Sequence, residues 1–404
     1  MIRSRFSQWA LVQAFYCLHL ITLTAYAIGT QGLKQQLGLT SVEMGYLSAT
    51  FFIAFGLSQL LIGSQLGNRS NRCLIGGSAL LATLGCFLLL VSNSFAMAMA
   101  ARILMGAGVG NALVSTVHIA AERFPESFPL MTNFSQGLAN MSGACVGLAT
   151  PLLPELNKIQ VTYHWSFILL LIDTILILIL CQSDKPIITQ NTYSQRQKTT
   201  LERTRFILKL PQFWSSMAFF SGLFGSYLSF AEGWNIQFQI EVFHQNSAIA
   251  PLINSTVIVG LAIGSIGSGA LANRVGISWL ARFGAAITTA MLLVLTGDIL
   301  PQWIAVISQA LLGLGMGTAS LGLSNLRLHV RKEDFSLASA LMMTGVFVSA
   351  GVLSAAVGWS ATDLTLARTG FIQYQHSLGW LIAFAGMACV ASLTMRPFNA
   401  RYKS

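Results

Sequence analysis

The sequence predicts an all-α membrane protein whose twelve transmembrane helices form two pseudo-symmetric six-helix bundles. Only 9% of its 404 residues are charged and 54% are hydrophobic, whereas a soluble globular protein carries about 25% charged residues. Apolar stretches of about 20 residues, which is the length that crosses a bilayer, recur along the whole chain. Matched segments also recur at an offset of about half the chain, which favours two similar bundles.

Twelve apolar stretches are long enough to be spans, and a basic polar segment divides them into two groups of six. The first stretch, from Ser7 to Gly29, is too long for the apolar core of a secretory signal, so we predict a retained span. We therefore predict an N-terminal bundle at 1–183, a cytoplasmic linker at 184–210 and a C-terminal bundle at 211–404. The predicted spans lie near 8–29, 43–66, 73–92, 96–120, 130–152, 163–182, 212–236, 248–272, 278–298, 301–326, 336–359 and 376–395.

The distribution of basic residues predicts that both termini are cytoplasmic. With the N-terminus inside, 19 of the 23 Lys and Arg residues fall on the inner side and 3 on the outer side, and Arg102 falls within a span. This asymmetry is the one that the positive-inside rule requires, and an odd number of spans would destroy it in one half. We therefore attribute the net charge of +10 to membrane topology and not to nucleic-acid binding. Short loops favour a bacterial inner membrane, and the chain is compatible with a monomer.

Two pairs of segments carry the internal repeat. Leu66-Gly-Asn68-Arg69 after span two matches Leu271-Ala-Asn273-Arg274 after span eight, at an offset of 205 residues. In spans four and ten, glycines at alternate positions match at an offset of 207 residues: Gly106, Gly108 and Gly110 against Gly313, Gly315 and Gly317. We expect these glycines to permit close helix packing.

These segments resemble the loop and span-four motifs of the major facilitator superfamily. The loop motif, Gly-x-Leu-Ala-Asp-Arg-x-Gly, matches Gly269 to Gly276 except that Asn273 replaces the Asp, and Asn68 replaces it in the first half. The resemblance implies a secondary transporter in which Asn68, Arg69, Asn273 and Arg274 act as conformational latches, weakened by the loss of the carboxylate. The alternative is that both loops only anchor the topology.

Arg102 is the most informative single residue, because an Arg inside a span is costly and normally faces a cavity or a partner. It occupies the place of the Arg in the family's span-four motif, ahead of the alternating glycines. The resemblance favours a cavity charge that binds an anionic group or modulates proton transfer. A structural Arg bound to backbone carbonyls is the alternative.

Glu232, near the outer part of span seven, is the candidate for proton coupling. Burial disfavours a charged carboxylate, so a buried Glu can take up a proton. The alternative is a carboxylate solvated at the outer interface beside Gly233. A proton is the coupling ion that we expect, and the sequence indicates no metal or organic cofactor.

Further polar side chains within the predicted spans complete the candidate solute and proton pathway. His19 shares a face of span one with Gln13 and Tyr16, and first spans line the central cavity in the family that the chain resembles. Amides inside a bilayer must find partners or water, although they can also join helices to one another. The other candidates are Asn111, Gln136, Asn140, Tyr227, Trp234 and Asn235.

We therefore expect a secondary transporter of a small polar organic solute that works by alternating access, with proton-coupled uptake favoured over proton-driven export of a metabolite, siderophore or drug. The family's exporters often carry Gly-Pro in span five, but here Thr150 precedes Pro151. The sequence contains no phosphate-binding Gly-x-x-x-x-Gly-Lys-Ser/Thr loop and no nucleophile or metal motif of an enzyme. A membrane-embedded enzyme and a non-transporting sensor are the distant alternatives.

Overall fold

The computed structural model describes residues 5–63, 71–124, 128–153, 159–181, 200–297, 301–331, 334–361 and 370–395, and within these ranges the regular structure is entirely helical. Ten of the described helices are long and apolar enough to cross a membrane. The other two predicted spans, near 130–152 and 212–236, are also helical. The fold is that of an all-α membrane protein, as the sequence predicted.

Six long helices form the first half. They are α1 (Arg5–Leu37), α2 (Ser41–Gly63), α3 (Asn71–Leu90), α4 (Phe95–Arg123), α5 (Phe128–Ala149) and α6 (Ile159–Leu180). A reciprocal capping box starts α2: the Thr40 backbone N–H donates to the Glu43 carboxylate (2.8 Å), and the Glu43 N–H donates to the Thr40 hydroxyl (3.2 Å). Ser94 caps α4 by accepting from the Met97 N–H.

A short helix, α7 (Thr200–Leu208), precedes the second half. Span seven is discontinuous and consists of α8 (Pro211–Phe220), a π-helical turn (Ser221–Gly225), α9 (Ser226–Ser229), a second π-helical turn (Phe230–Trp234) and α10 (Asn235–Glu241). The remaining helices are α11 (Ala250–Val275), α12 (Ile277–Leu295), α13 (Gln302–Met316), a 3-10 turn (Gly317–Ser320), α14 (Leu321–His329), α15 (Phe335–Ser360) and α16 (Gly370–Thr394). Gly276, with φ of +95°, makes the sharp turn between α11 and α12.

The chain divides into two compact units, 1–190 with Glu232–Ser255, and 191–231 with Thr256–Ser404. In the first unit, α4 packs against α1, α2 and α3, and α6 packs against α1 and α3. This unit also contains the C-terminal end of span seven and the first residues of α11. The domain limits predicted from the sequence stay a prediction.

In the second unit, α12 packs against α13 and α16, while α8 packs against α14 and α16. Its apolar core draws on every one of these helices except α13, and includes fully buried residues such as Phe213, Phe219, Leu223, Ala285 and Met342. The pairs α3–α4 and α3–α6 of the first unit therefore have counterparts in α12–α13 and α12–α16. This correspondence is what an internal duplication produces.

Candidate functional site

Arg102 lies in the interior of the first unit, where α1, α2 and α4 meet, and its side chain is only 1% exposed. The guanidinium lies between two aromatic rings, 3.7 Å from the centroid of Tyr26 and 4.0 Å from that of Phe51. Its Nε donates to the Leu47 carbonyl at 3.2 Å. Among the described residues, no carboxylate forms an ion pair with Arg102, and its Nη1 has no hydrogen-bond partner.

His19 stands next to this cluster, on the same helix as Tyr26. Its ring stacks on Phe55 (centroids 5.2 Å apart) and lies 6.4 Å from both Tyr16 and Phe51. The His19 side chain is 5% exposed, and its Nδ1 is enclosed without a hydrogen-bond partner in the described part of the chain. Because Phe51 contacts both His19 and Arg102, the imidazole and the guanidinium belong to one aromatic cluster.

Gln13 lies further along α1 and joins it to α5. Its amide nitrogen donates to the Ser135 carbonyl at 3.0 Å, while its carbonyl oxygen is buried without a partner among the described atoms. Gln13, Tyr16 and His19 are all at least 95% buried, and the structure thus brings together the three candidates that the sequence placed on one face of span one.

The polar candidates of α4 and α5 lie in different surroundings. Asn111 is fully buried and donates to the Ser78 hydroxyl at 3.1 Å, so its side chain lies between α4 and α3. Gln136 is exposed and Asn140 is half-buried. These positions do not form one cluster with His19.

The candidates of span seven are divided between the two units. Tyr227 lies in the second unit, where its ring stacks on Phe224 at 5.5 Å. Glu232 and Trp234 lie in the first unit, in the second π-helical turn, and are 1% and 3% exposed. Such turns are rare and are frequently found at functional sites.

Asn235 begins α10, the C-terminal part of span seven, and forms a small network of amides in the first unit. Its amide nitrogen donates to the Asn254 side-chain oxygen at 2.7 Å, and its own oxygen accepts from Gln239 at 3.3 Å. All three amides are buried. The network fixes α10 to the start of α11.

The six alternating glycines lie where helices approach one another closely. A Cβ at Gly106 or Gly110 would collide with the backbone of Phe51 or Phe55 in α2, and one at Gly108 would meet the Ser78 carbonyl of α3 at 2.7 Å. In the second unit, Gly313 and Gly317 face α11 in the same way, and Gly315 faces the Gly284 carbonyl of α12 at 2.8 Å. Each pair of equivalent glycines therefore contacts an equivalent pair of helices.

The four predicted latch residues are Asn68, Arg69, Asn273 and Arg274. Asn68 and Arg69 lie outside the described residues, as does the side chain of Asn273. Arg274 is exposed in the last turn of α11. Their latch role stays a prediction.

Sequence reasoning missed Tyr26, Phe51 and Phe55, which surround His19 and Arg102. Tyr26 follows Tyr16 and His19 at ten and seven residues, so helical periodicity alone places it on their face of α1. No comparable signal identifies the two phenylalanines, because Phe is common among the lipid-facing and core residues of such a chain. Among the described residues, no group of three or more His, Cys, Asp and Glu could hold a metal ion.

Comparisons with known proteins agree with this architecture. A solved point mutant of the nucleoside transporter NupG superposes with a TM-score of 0.77 at 14% identity and covers 96% of this chain and 99% of that one. Another NupG structure gives 0.72 at 15% identity, with 98% of both chains covered. A bacterial homolog of the human lysosomal transporter Spinster, inward-facing and unoccupied, gives 0.67 at 13% identity, also with 98% of both chains covered.

At such low identity these structures share the fold of this chain and establish nothing more specific. A search of curated protein sequences finds no match. The sequence profile of the Major Facilitator Superfamily matches residues 12–355, which is most of the chain. The chain belongs to the Major Facilitator Superfamily and is a secondary transporter of the membrane.

Proposed function

We propose that this transporter takes up a small polar organic solute, a zwitterion or an anion, together with a proton by alternating access. The observation that carries the proposal is the polar side of α1 in the first unit. There His19 and Gln13 present buried polar atoms, Nδ1 and Oε1, that find no partner among the described residues.

Buried polar atoms without partners cost free energy. A polar solute, with the water that accompanies it, can supply the missing hydrogen bonds and offset that cost. Side chains that already pair with one another, such as Asn235 and Asn254, have less to gain from a ligand. This difference supports the α1 face as the solute-binding surface.

The charge of the same region supports an anionic or zwitterionic solute. Arg102 shares Phe51 with His19 and forms no ion pair with a carboxylate among the described residues. An uncompensated guanidinium inside a low-dielectric region attracts negative charge and repels lipophilic cations. Amino acids, carboxylates and hydroxycarboxylate siderophores fit this charge. Nucleosides are the uncharged alternative, which we include because a similar structure is that of a nucleoside transporter.

Glu232 is the proposed carrier of the coupling proton. Its side chain is 1% exposed and sits in a π-helical turn of span seven. Neutralisation by a proton lowers the cost of enclosing a carboxylate when the surrounding helices close on it. The proton gradient can thereby drive the conformational cycle.

Flux into proteoliposomes under an imposed pH gradient, with the inside alkaline, tests the proposal. The candidate solutes are offered as radiolabelled pools. We expect one pool to accumulate, and the accumulation to collapse when a protonophore is added. Loss of preloaded solute on reversal of the gradient, without any uptake, would establish export instead. Binding without flux in either direction would identify a sensor and refute transport.

A further inference from the structure

The short helix α7 is fixed directly to the beginning of span seven. The Phe213 backbone N–H donates to the Leu210 carbonyl at 3.0 Å, and the Trp214 indole donates to the Leu208 carbonyl at 2.8 Å. Only Lys209 and Leu210 separate α7 from α8. Helix α7 therefore lies where the chain enters the membrane.

One side of α7 is held by the second unit. Ile207 is fully buried in the apolar core of that unit. Arg203 forms an ion pair with Asp334, the residue that precedes α15. The orientation of α7 about its own axis is thus set by an apolar contact and by a charged contact.

The other side of this segment is exposed and combines apolar with basic side chains. Phe206, Leu208 and Trp214 are 40%, 39% and 49% exposed. Arg205 and Lys209 are also exposed, and the guanidinium of Arg331 lies 5.9 Å from the centroid of the Phe206 ring. The exposed acidic residue in this segment is Glu202, in the first turn of α7.

We infer that this side of the segment, with Arg205, Lys209, Phe206, Leu208 and Trp214, is a binding surface for anionic phospholipid headgroups. Large exposed apolar side chains on a segment at the membrane boundary insert into the interface between headgroups and acyl chains. Trp in particular prefers that depth. The two cations then lie at the level of the lipid phosphates, and the predicted topology places them on the inner, anionic leaflet.

Native mass spectrometry of the purified full-length protein tests this surface. The protein is equilibrated with phosphatidylglycerol or with phosphatidylcholine in mixed micelles. The test variant is Arg205→Gln with Lys209→Gln, and the matched control removes two cations from the C-terminal tail, Arg401→Gln with Lys403→Gln. Arg203 is left intact, because its loss would release α7 from Asp334.

We expect the native protein to retain phosphatidylglycerol in preference to phosphatidylcholine. The test variant should bind phosphatidylglycerol roughly ten- to thirtyfold more weakly, since each basic residue at the surface contributes about a fivefold factor. The control should bind it as the native protein does. Equal losses in both variants would show that net charge alone governs binding and would overturn the proposal.

Fluorescence quenching supplies a second readout that does not depend on detergent. The signal of Trp214, obtained as the difference between the native protein and Trp214→Phe, is measured in vesicles that contain brominated phosphatidylglycerol or brominated phosphatidylcholine at equal mole fraction. We expect stronger quenching by the anionic lipid, and we expect this preference to disappear in the Arg205→Gln, Lys209→Gln variant. Equal quenching by both lipids in the native protein would refute the inference.

Discussion

Arg102 is a buried cation that the first unit stabilises with aromatic rings and a carbonyl group. Tyr26 and Phe51 face the guanidinium at 3.7 and 4.0 Å, and Leu47 accepts its Nε hydrogen. A desolvated cation–π contact contributes about 2 kcal/mol or more. These contacts stabilise the guanidinium inside the protein without neutralising its charge. The charge therefore remains available to interact with a solute or with a proton site.

We predict that Arg102→Ala abolishes solute flux and that Arg102→Lys retains only a small part of it. Lysine keeps the charge but not the planar group that stacks between two rings and donates at a fixed angle. Initial rates in proteoliposomes measure the effect, and an unchanged elution profile in size-exclusion chromatography shows that each variant is folded. Transport at the native rate by Arg102→Ala would disprove a functional charge.

Asp173 in α6 is another buried ionisable group of the first unit. It is 5% exposed, and its Oδ2 has no hydrogen-bond partner among the described residues. An enclosed carboxyl oxygen without a partner costs about 1–3 kcal/mol. Asp173→Asn still leaves a buried polar group that needs hydrogen-bond partners, whereas Asp173→Leu removes that need.

We therefore predict that Asp173→Leu raises the apparent thermal unfolding temperature and leaves the flux unchanged. Differential scanning fluorimetry measures the first effect and proteoliposome uptake the second. Asp173→Glu is the control, because it keeps the carboxyl group and adds a methylene. Loss of flux in Asp173→Leu without loss of stability would assign Asp173 to the transport pathway.

At the scale of elements, the alternating glycines decide how closely the helices pack. In Gly108→Ala the new methyl group would meet the backbone of Ala82 and Ser78, and in Gly315→Ala it would meet the Gly284 carbonyl. We predict that each substitution destabilises its unit by about 1–3 kcal/mol through overpacking. Thermal unfolding in detergent measures the change.

The matched control is Gly77→Ala in α3, where a Cβ would have no neighbour within 4 Å. Alanine is up to about 1 kcal/mol more favourable than glycine in a helix. Gly77→Ala should therefore leave the unfolding temperature unchanged or raise it. A similar loss of stability at Gly77 and Gly108 would mean that helix approach is not the reason for these glycines.

The helices with simple apolar patterns were predictable from the sequence, whereas the interior of span seven was not. Apolar length alone located α2, α3 and α12 to within a few residues. The π-helical turns at Ser221–Gly225 and Phe230–Trp234 depend on how each turn packs against its neighbours, and the local sequence contains no marker for them. The same limit applies at the site: periodicity along one helix identified His19, but the contacts of Phe51 and Phe55 with it need the packing of α2 against α1.

Glu232 lies in the second of these turns, and its role is testable by the pH dependence of transport. A carboxyl that carries the coupling proton must be able to gain and lose it, and the amide in Glu232→Gln does neither. We predict that this variant exchanges solute across the membrane but does not accumulate it in response to a pH gradient. Uphill transport with unchanged pH dependence would show that the proton binds elsewhere.

At the scale of the whole molecule, the division of the chain into compact units does not follow the sequence halves everywhere. Helix α11 begins in the first unit and continues in the second, with the boundary between Ser255 and Thr256. In the first unit, Ser255 donates to the Ala144 carbonyl of α5 at 3.3 Å, and a Cβ at Gly147 would meet the Pro251 carbonyl at 2.8 Å. Duplication predicted equivalent helices, but this contact is not encoded in any motif that we recognise.

The contact between α5 and the start of α11 gives a prediction about the transport cycle. If transport proceeds by alternating access, a contact this close cannot persist through every state. In a background without the six native cysteines, the pair Gly147→Cys and Ser255→Cys places two thiols within reach of a disulfide.

We predict that oxidation stops solute flux and that a reducing agent restores it, while each single-cysteine variant is unaffected by either treatment. The disulfide changes neither His19 nor Arg102, so the oxidised protein should still bind the solute. Equilibrium binding is therefore measured together with flux. Binding without flux would indicate an arrested transport cycle, whereas loss of both would indicate a damaged binding site. Full flux in the crosslinked protein would mean that α5 and α11 move as one body throughout transport.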